Sequence, residues 1–303
     1  MIRSSELTKT GCIYLISSPI GNLNDITFRA LDIIKNVDYL FCEDTRVTSK
    51  LLKHYDIERA LDSYHDFSSK EKEDYILDLL EKGHSVGIIS DSGTPIISDP
   101  GYEVVSRAKS EGFRIIPIPG PSASIAAVTM SALPIKPYLF YGFLDHKASK
   151  KRKELENLKS YEFTICIYES PQRIHETLRI MYEVFGNRKV SLLREITKLY
   201  EESIDFYLEE YSSLPQDLKG EMVIVCEGRK IEKNNIDLFS EMNIILKDGL
   251  SLKEASKMLA SKTGLKASDI YNEYLRRKDK WKRFLHSMLK VLKMQNLSSL
   301  SIY

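Results

Sequence analysis

Four short stretches combine residue types suited to chemistry with positions directly after apolar runs. Ser18-Pro19-Ile20-Gly21-Asn22-Leu23 follows the run 12–17, and its proline and glycine shape a tight turn that lets backbone approach a ligand closely. Glu43-Asp44-Thr45-Arg46 sets three charged groups in four positions after the run 39–42, where Asp44 or Thr45 would also serve as a helix cap beside a surface ion pair. Ser90-Asp91-Ser92-Gly93-Thr94-Pro95 continues through Ser98-Asp99-Pro100-Gly101, longer than a strand-to-helix link requires, and long loops in compact domains usually carry function. Gly93 and Thr94 there could offer backbone and hydroxyl groups to the amino-acid end of a cofactor, while nearby carbonyls would tolerate a positive centre. Pro119-Gly120-Pro121-Ser122-Ala123-Ser124 freezes the chain before a helix start, where Ser122 or Ser124 could cap and the helix N–H groups would suit a carboxylate or phosphate.

Elements that could position these loops follow from the periodicity. Strands are expected over 12–17, 39–42, 86–90 and 114–118, with amphipathic helices over 26–35, 49–55 and 70–82, the last with Ser68 and Glu71 as a capping box. Such alternation predicts βα units feeding a mostly parallel sheet, whose ligands bind beyond the carboxyl ends of the strands. The proline-bearing link Leu133-Pro134-Ile135-Lys136-Pro137 divides a first α/β domain, 1–134, from a second, 135–228. The second has strand runs at 138–143, 163–168, 189–194, 203–207 and 222–226, and a long helix over 172–185. After a polar linker, 229–235, the tail 236–303 reads as helical: Ser251 and Glu254 form a capping box for a helix to about 262, Thr263-Gly264 turns the chain, and a further helix covers about 267–292. The fold class is therefore α/β, two domains with a cleft between them plus a small helical C-terminal appendage.

Composition narrows the function classes. At 303 residues and 43% hydrophobic, the chain can bury two medium cores. A net charge of +1 does not advertise nucleic-acid binding, so any RNA site must come from local clustering. Cys12, Cys42, Cys166 and Cys226 lie inside apolar runs with no CxxC spacing, as buried thiols of a reducing compartment do. Histidines and carboxylates show no ligand spacing that implies a metal. No run approaches the ~20 apolar residues a bilayer crossing needs, and Met1-Ile2-Arg3-Ser4-Ser5-Glu6 lacks the apolar stretch of a secretory signal, so a cytoplasmic protein is expected.

Taken in order, the loops resemble those of the tetrapyrrole methylase superfamily, in its branch acting on small-subunit ribosomal RNA. The likeness extends through Tyr102, Tyr168-Glu169-Ser170-Pro171, Arg194-Glu195-Ile196-Thr197-Lys198 and Gly220-Glu221, and so covers residues 18 to 221. It implies S-adenosylmethionine folded into the interdomain cleft, a homodimer, and 2'-O-methylation of a decoding-centre cytidine in 16S RNA, naked or in the assembled 30S subunit. It also places Pro19, Asp91, Gly93, Thr94, Ser122, Tyr168 and Gly220 near the donor. The turn Pro19-Ile20-Gly21 does not support a dinucleotide-type site. The segment Tyr64-His65-Asp66-Phe67-Ser68 departs from the expected pattern, which weakens any role for His65.

Methyl transfer to a ribose hydroxyl needs an in-line geometry, worth roughly 7–11 kcal/mol of barrier, and gains about 10²–10⁴-fold from a base. Glu43, Asp44 and Glu195 are the base candidates, and Lys198 could lower the hydroxyl pKa or hold a phosphate. For RNA, Lys147, Lys150, Lys151, Arg152 and Lys153, after His146, set five cations beside Tyr138, Tyr141 and Phe143, matching what looped RNA requires. A second basic run, from Arg276 to Arg283, carries Trp281; either run could be a solvated helix face. Two rival readings stay open: a C-methyltransferase of precorrin or uroporphyrinogen, and a non-catalytic RNA-binding assembly factor.

Overall fold

The computed structural model describes residues 10–64, 70–230, 237–280 and 283. His65 and Ser68, with the cap expected of Ser68, lie outside these residues, as do Trp281 and Lys282. The chain divides into two compact units, Met1–Arg229 and Lys230–Tyr303.

In the first unit, β1 (Cys12–Ile16), β2 (Tyr39–Cys42), β3 (Asp62–Ser63), β4 (Ser85–Ile89) and β5 (Arg114–Ile118) form a parallel sheet ordered β3-β2-β4-β1-β5. Helices α1 (Phe28–Asn36), α2 (Thr45–His54), α3 (Lys70–Glu81), α4 (Tyr102–Ser110) and α5 (Ala123–Met130) alternate with the strands. Successive strand residues enter opposite layers: Ile13, Phe41 and Ile88 pack with α3 and α4, whereas Ile16, Leu40 and Ile89 pack with α1 and α2. Burial on both faces is why these strands read as unbroken apolar runs. β1 and β4 are parallel neighbours, so their following loops leave the same edge of the sheet side by side.

A second sheet contains β6 (Tyr138–Phe143), β7 (Thr164–Glu169), β8 (Lys189–Arg194), β9 (Glu202–Tyr207) and β10 (Met222–Cys226), ordered β6-β7-β10-β8-β9. Only the β6–β7 pair is parallel; β7–β10, β10–β8 and β8–β9 are antiparallel. One face is covered by α6 (Ala148–Leu158) and α7 (Ile174–Phe185) through Leu155, Leu178 and Met181. The other face meets the first half: Ile20 and the α5 residues Ala127 and Val128 pack with Cys166, Leu193, Val223 and Val225. The sequence boundary at residue 134 thus separates two sheets that share an apolar layer within one compact unit.

The second unit has α8 (Leu238–Lys247), α9 (Leu252–Thr263) and a helix over 267–280, packed through Met242, Ile245, Leu259, Ile270 and Tyr274. Ser251 and Glu254 form a reciprocal capping box, and Gly264 closes α9 in the left-handed conformation. All four cysteines are buried, and burial pushes the Cys166 and Cys226 thiols up to about 12, which leaves them inert.

Candidate active site

The loops after β1 and β4 are joined before any ligand is considered. Ser18 N–H donates to Gly93 O at 2.9 Å and Gly93 N–H returns to Ser18 O at 3.2 Å. Gly93 adopts φ 81°, and its carbonyl also accepts from Ser90 Oγ at 2.6 Å. Thr94 Oγ1 donates to Pro121 O at 3.1 Å and lies 3.4 Å from Ser17 Oγ. The backbone of Gly93 and the hydroxyl of Thr94, expected from sequence to be offered to a cofactor, are therefore engaged in holding three loops together. Ser122 is the α5 N-cap residue by position, but neither serine caps: Ser122 Oγ pairs with Ser124 Oγ at 3.1 Å, and Ser124 N–H donates to the Tyr168 hydroxyl at 3.0 Å. The positive end of α5 therefore has the Tyr168 hydroxyl, not a capping serine, as a side-chain acceptor, and the tyrosine ties that helix end to β7.

Between the sheets lies a cavity of about 570 Å³, reached by Gly93, Thr94 and Ser122 from the first half and by Tyr168, Glu195, Lys198 and Gly220 from the second. A smaller cavity of about 280 Å³ adjoins it, lined by Pro19 and Asp91, and the two share Ser92, Lys198 and Glu221. Seven of the expected site residues are thus brought together in one space, and Pro19 and Asp91 stand in the next. Glu43 lines a separate small recess with Asp99, and Asp44 lines none of these. Glu221 and Ser92, at the junction, were not singled out from sequence as site residues; each adjoins one that was, Gly220 and Asp91.

The segment after β8 is held in an unusual backbone path. Glu195 and Thr197 have φ of 50° and 67°, the left-handed region, where a β-branched side chain is a genuine outlier. Several bonds hold this path. Glu195 Oε1 accepts Glu221 N–H at 2.9 Å and Lys198 Nζ at 3.0 Å, and Thr197 Oγ1 accepts the backbone N–H of Asn22 from the other half at 3.0 Å. Glycine is required on both sides: a Cβ on Gly220 would lie 2.5 Å from Glu195 Cδ, and one on Gly21 2.5 Å from Lys198 Cγ. The result fixes Lys198 Nζ between Glu195 and Glu221, 3.0 and 3.1 Å away, where the cavities meet.

Electrostatics sort the candidate bases. The Glu221 backbone N–H and then Lys198 hold the Glu195 carboxyl below its ordinary range. Partial burial pulls the Lys198 ammonium down, but its bonds to Glu195 and Glu221 outweigh that and raise it, so it stays protonated at neutral pH. Asp44 caps α2 by accepting Arg46 N–H at 2.8 Å, and the Arg46 guanidinium lowers it to about 2. A carboxylate so stabilised takes up a proton poorly. Asp91 goes the other way. Burial raises its carboxyl, against the Asp44 N–H that donates to Oδ1 at 3.1 Å.

The cations expected to face RNA fall into two groups. Lys147, Lys150 and Lys153 are exposed at the start of α6, Lys147 as its N-cap residue. Arg152 is bound to Glu183 on α7. Lys151 corrects its sequence assignment: it is fully buried, with Nζ 2.9 Å from both Glu176 Oε2 and Thr177 Oγ1 and 4.0 Å from Glu169. It joins α6 to α7 and, being fully buried, is not presented to a phosphate. In the tail, Arg276 and Arg277 both pair with Glu273, and Arg277 also with Asp237.

Residues 12–212 match the family model described as Tetrapyrrole (Corrin/Porphyrin) Methylases. The chain belongs to that family. A relative from Halalkalibacterium halodurans is 40% identical over 273 residues, 87% of this chain and 94% of its own, and is named ribosomal RNA small subunit methyltransferase I. A Bacillus subtilis protein of the same name is 37% identical over 274 residues, again covering 87% and 94%. With such relatives, the family membership extends to that branch. Among solved structures, a cobalt precorrin-4 methyltransferase superposes with a TM-score of 0.55 at 16% identity, over 75% of this chain and 97% of its own. The uroporphyrin-III-C-methyltransferase of Thermus thermophilus gives 0.52 at 16%, over 72% and 94%. At that identity the likeness is one of fold. Among the described residues no helix is long and apolar enough to cross a membrane.

Proposed function

We propose that this chain transfers a methyl group from S-adenosylmethionine to the ribose 2'-hydroxyl of a decoding-centre cytidine in small-subunit ribosomal RNA, acting in the cytoplasm as a homodimer. The observation that carries the reading is the pair of joined cavities with a protonated lysine fixed at their junction, in a chain whose relatives bear the name of RNA methyltransferases.

The residues present fit the donor. The larger cavity has the volume of a small-molecule site, and the N-terminus of α5, which the side chain of its own cap residue does not occupy, suits the donor's carboxylate. S-adenosylmethionine supplies a methyl group on a positively charged sulfur. With the donor bound, the ribose oxygen would gain that methyl carbon as its bond to sulfur breaks, the electron pair of the broken bond remaining on sulfur. The hydroxyl proton leaves to a carboxylate. Asp91, which lines the smaller cavity, suits that task better than Glu195 or Asp44, because burial raises its carboxyl above the ordinary value while theirs are held below it. Lys198 donates to the ribose or an adjoining phosphate and orients the acceptor. Lys147, Lys150 and Lys153 give the phosphates on either side of the acceptor an exposed cationic strip.

The test is transfer of labelled methyl from S-adenosylmethionine to isolated small subunits, with the product mapped by cleavage sensitive to ribose methylation. Wild type should give one mapped 2'-O-methyl group. In Asp91→Asn, kcat should fall about 10²–10⁴-fold with donor affinity retained, and the acid limb of the pH profile should flatten. Donor binding without transfer to subunits or free RNA would reject the reading, and transfer to a tetrapyrrole instead would replace it.

A further inference from the structure

Strand β6 contains a one-residue irregularity that changes where its last side chain points. Pairing with β7 runs Phe140 to Cys166 and then Gly142 to Ile167, so Tyr141 is extra. Before the bulge, Leu139 and Tyr141 face the α6–α7 core, while Tyr138 and Phe140 face the layer shared with α5. Uninterrupted alternation would send Phe143 into the α6–α7 core with Leu139 and Tyr141. The extra residue, turned by Gly142 at φ 83°, moves it to the opposite face, because a slip of one exchanges the faces of a strand.

On that face Phe143 lines the larger cavity and stays 53% exposed. An edge-on contact with Tyr168 supports the ring, centroids 5.5 Å apart and planes 64° apart. Tyr168 is itself fixed by Phe140 at 4.9 Å and by the Ser124 N–H on its hydroxyl. A half-exposed aromatic ring held from behind at the rim of a cavity is a stacking platform. The exposed cations Lys147, Lys150 and Lys153 lie within the next ten residues of chain. A polyanion tracking them would deliver a flat ring to Phe143.

We infer that the bulge in β6 presents Phe143 as the stacking platform for the base of the acceptor nucleotide, splayed out of its RNA strand as its ribose enters the junction of the two cavities. This rests on the RNA-methyltransferase reading above and specifies how that site takes its substrate. Stacking on a protein aromatic is how unpaired RNA bases are held, and its removal weakens binding by a factor set by one base.

The test compares wild type with Phe143→Ala, Phe143→Leu and Phe143→Trp, measuring KM and kcat for small subunits, the dissociation constant of S-adenosylmethionine, and thermal melting. Phe143→Ala and Phe143→Leu should each raise KM for RNA roughly 5- to 150-fold, with donor affinity and melting unchanged, and Phe143→Trp should stay near wild type. The leucine variant separates stacking from bulk: full activity with leucine would overturn the inference. So would unchanged KM in the alanine variant, or a loss confined to donor affinity, which would make the ring a cover for the donor. If wild type methylates no RNA, the parent reading falls and this inference with it; if wild type methylates and the variants match it, only the platform falls.

Discussion

Gly220→Ala should cripple the site through one added methyl group. At φ 90° the alanine backbone is strained by about 1–2 kcal/mol, and the new Cβ would lie 2.5 Å from Glu195 Cγ, Cδ and Oε1. Glu195 must swing away, breaking its bond from the Glu221 N–H, and a hydrogen bond to a charged group contributes about 1.5–3 kcal/mol. Together these predict a loss of about 2.5–5 kcal/mol, or roughly 5–20 °C in Tm for a unit of this size. Lys198 loses one of its two carboxylate partners in the same step, and an ångström of misplacement at a reacting centre can cost about 10²-fold in kcat. The assay pairs thermal unfolding with labelled methyl transfer for Gly220→Ala, Glu195→Ala and the double variant. In the double variant the carboxylate bond is already gone and only the backbone strain is added, so its loss of stability should match that of Gly220→Ala instead of the sum of the two single variants, and activity should stay low. A Gly220→Ala enzyme that melts and turns over like wild type would refute the account of the segment 195–198.

Lys151→Ala should destabilise by about 3–5 kcal/mol because it strips a buried cation from its carboxylate and hydroxyl partners, whereas Lys150→Ala should change stability by less than about 0.5 kcal/mol and weaken only RNA binding; urea unfolding and a salt titration of RNA affinity would separate them. The pairing of Asp44 with Arg46 contributes stability above the ordinary carboxylate range, near pH 4, and that contribution disappears as pH falls toward about 2, so acid unfolding of Asp44→Asn should show a shallower loss over that interval than wild type. If Asp44→Asn follows the wild-type acid curve, the ion pair has no role in stability.

Much of this architecture is legible in the chain because strands packed between layers leave apolar runs: β2, β5, β6, β8 and β10 fall where periodicity puts them. The loops were recognisable from proline, glycine and small polar residues at strand ends. Strand direction was not, since an apolar run such as 222–226 carries no sign of which neighbours it will pair with, and the antiparallel part of the second sheet follows from pairings distant in sequence. Lys151 shows a different limit. A lysine flanked by Lys150, Arg152 and Lys153 reads as surface, and only the packing of α6 on α7 shows that its place in the helical turn points inward toward Glu176 and Thr177. Asp44 at a strand end reads both as cap and as base, and the bond from the Arg46 N–H shows the cap. The bulge at Tyr141 leaves only Gly142 as its trace in the sequence, too little to show which way Phe143 turns.

The place of β10 has a consequence for how this protein comes off the ribosome. It is the last strand of its sheet to be made, yet it sits between β7 and β8, which do not pair with each other. From the end of β9 at Tyr207 to Cys226, a ribosome adding ~5–20 residues per second takes about one to four seconds, during which two inner strand edges have no partner and α5 lacks the part of its cover that Val223 and Val225 supply. A chain stopped before Met222 would keep those edges open, so premature termination there should yield aggregate rather than a smaller soluble domain.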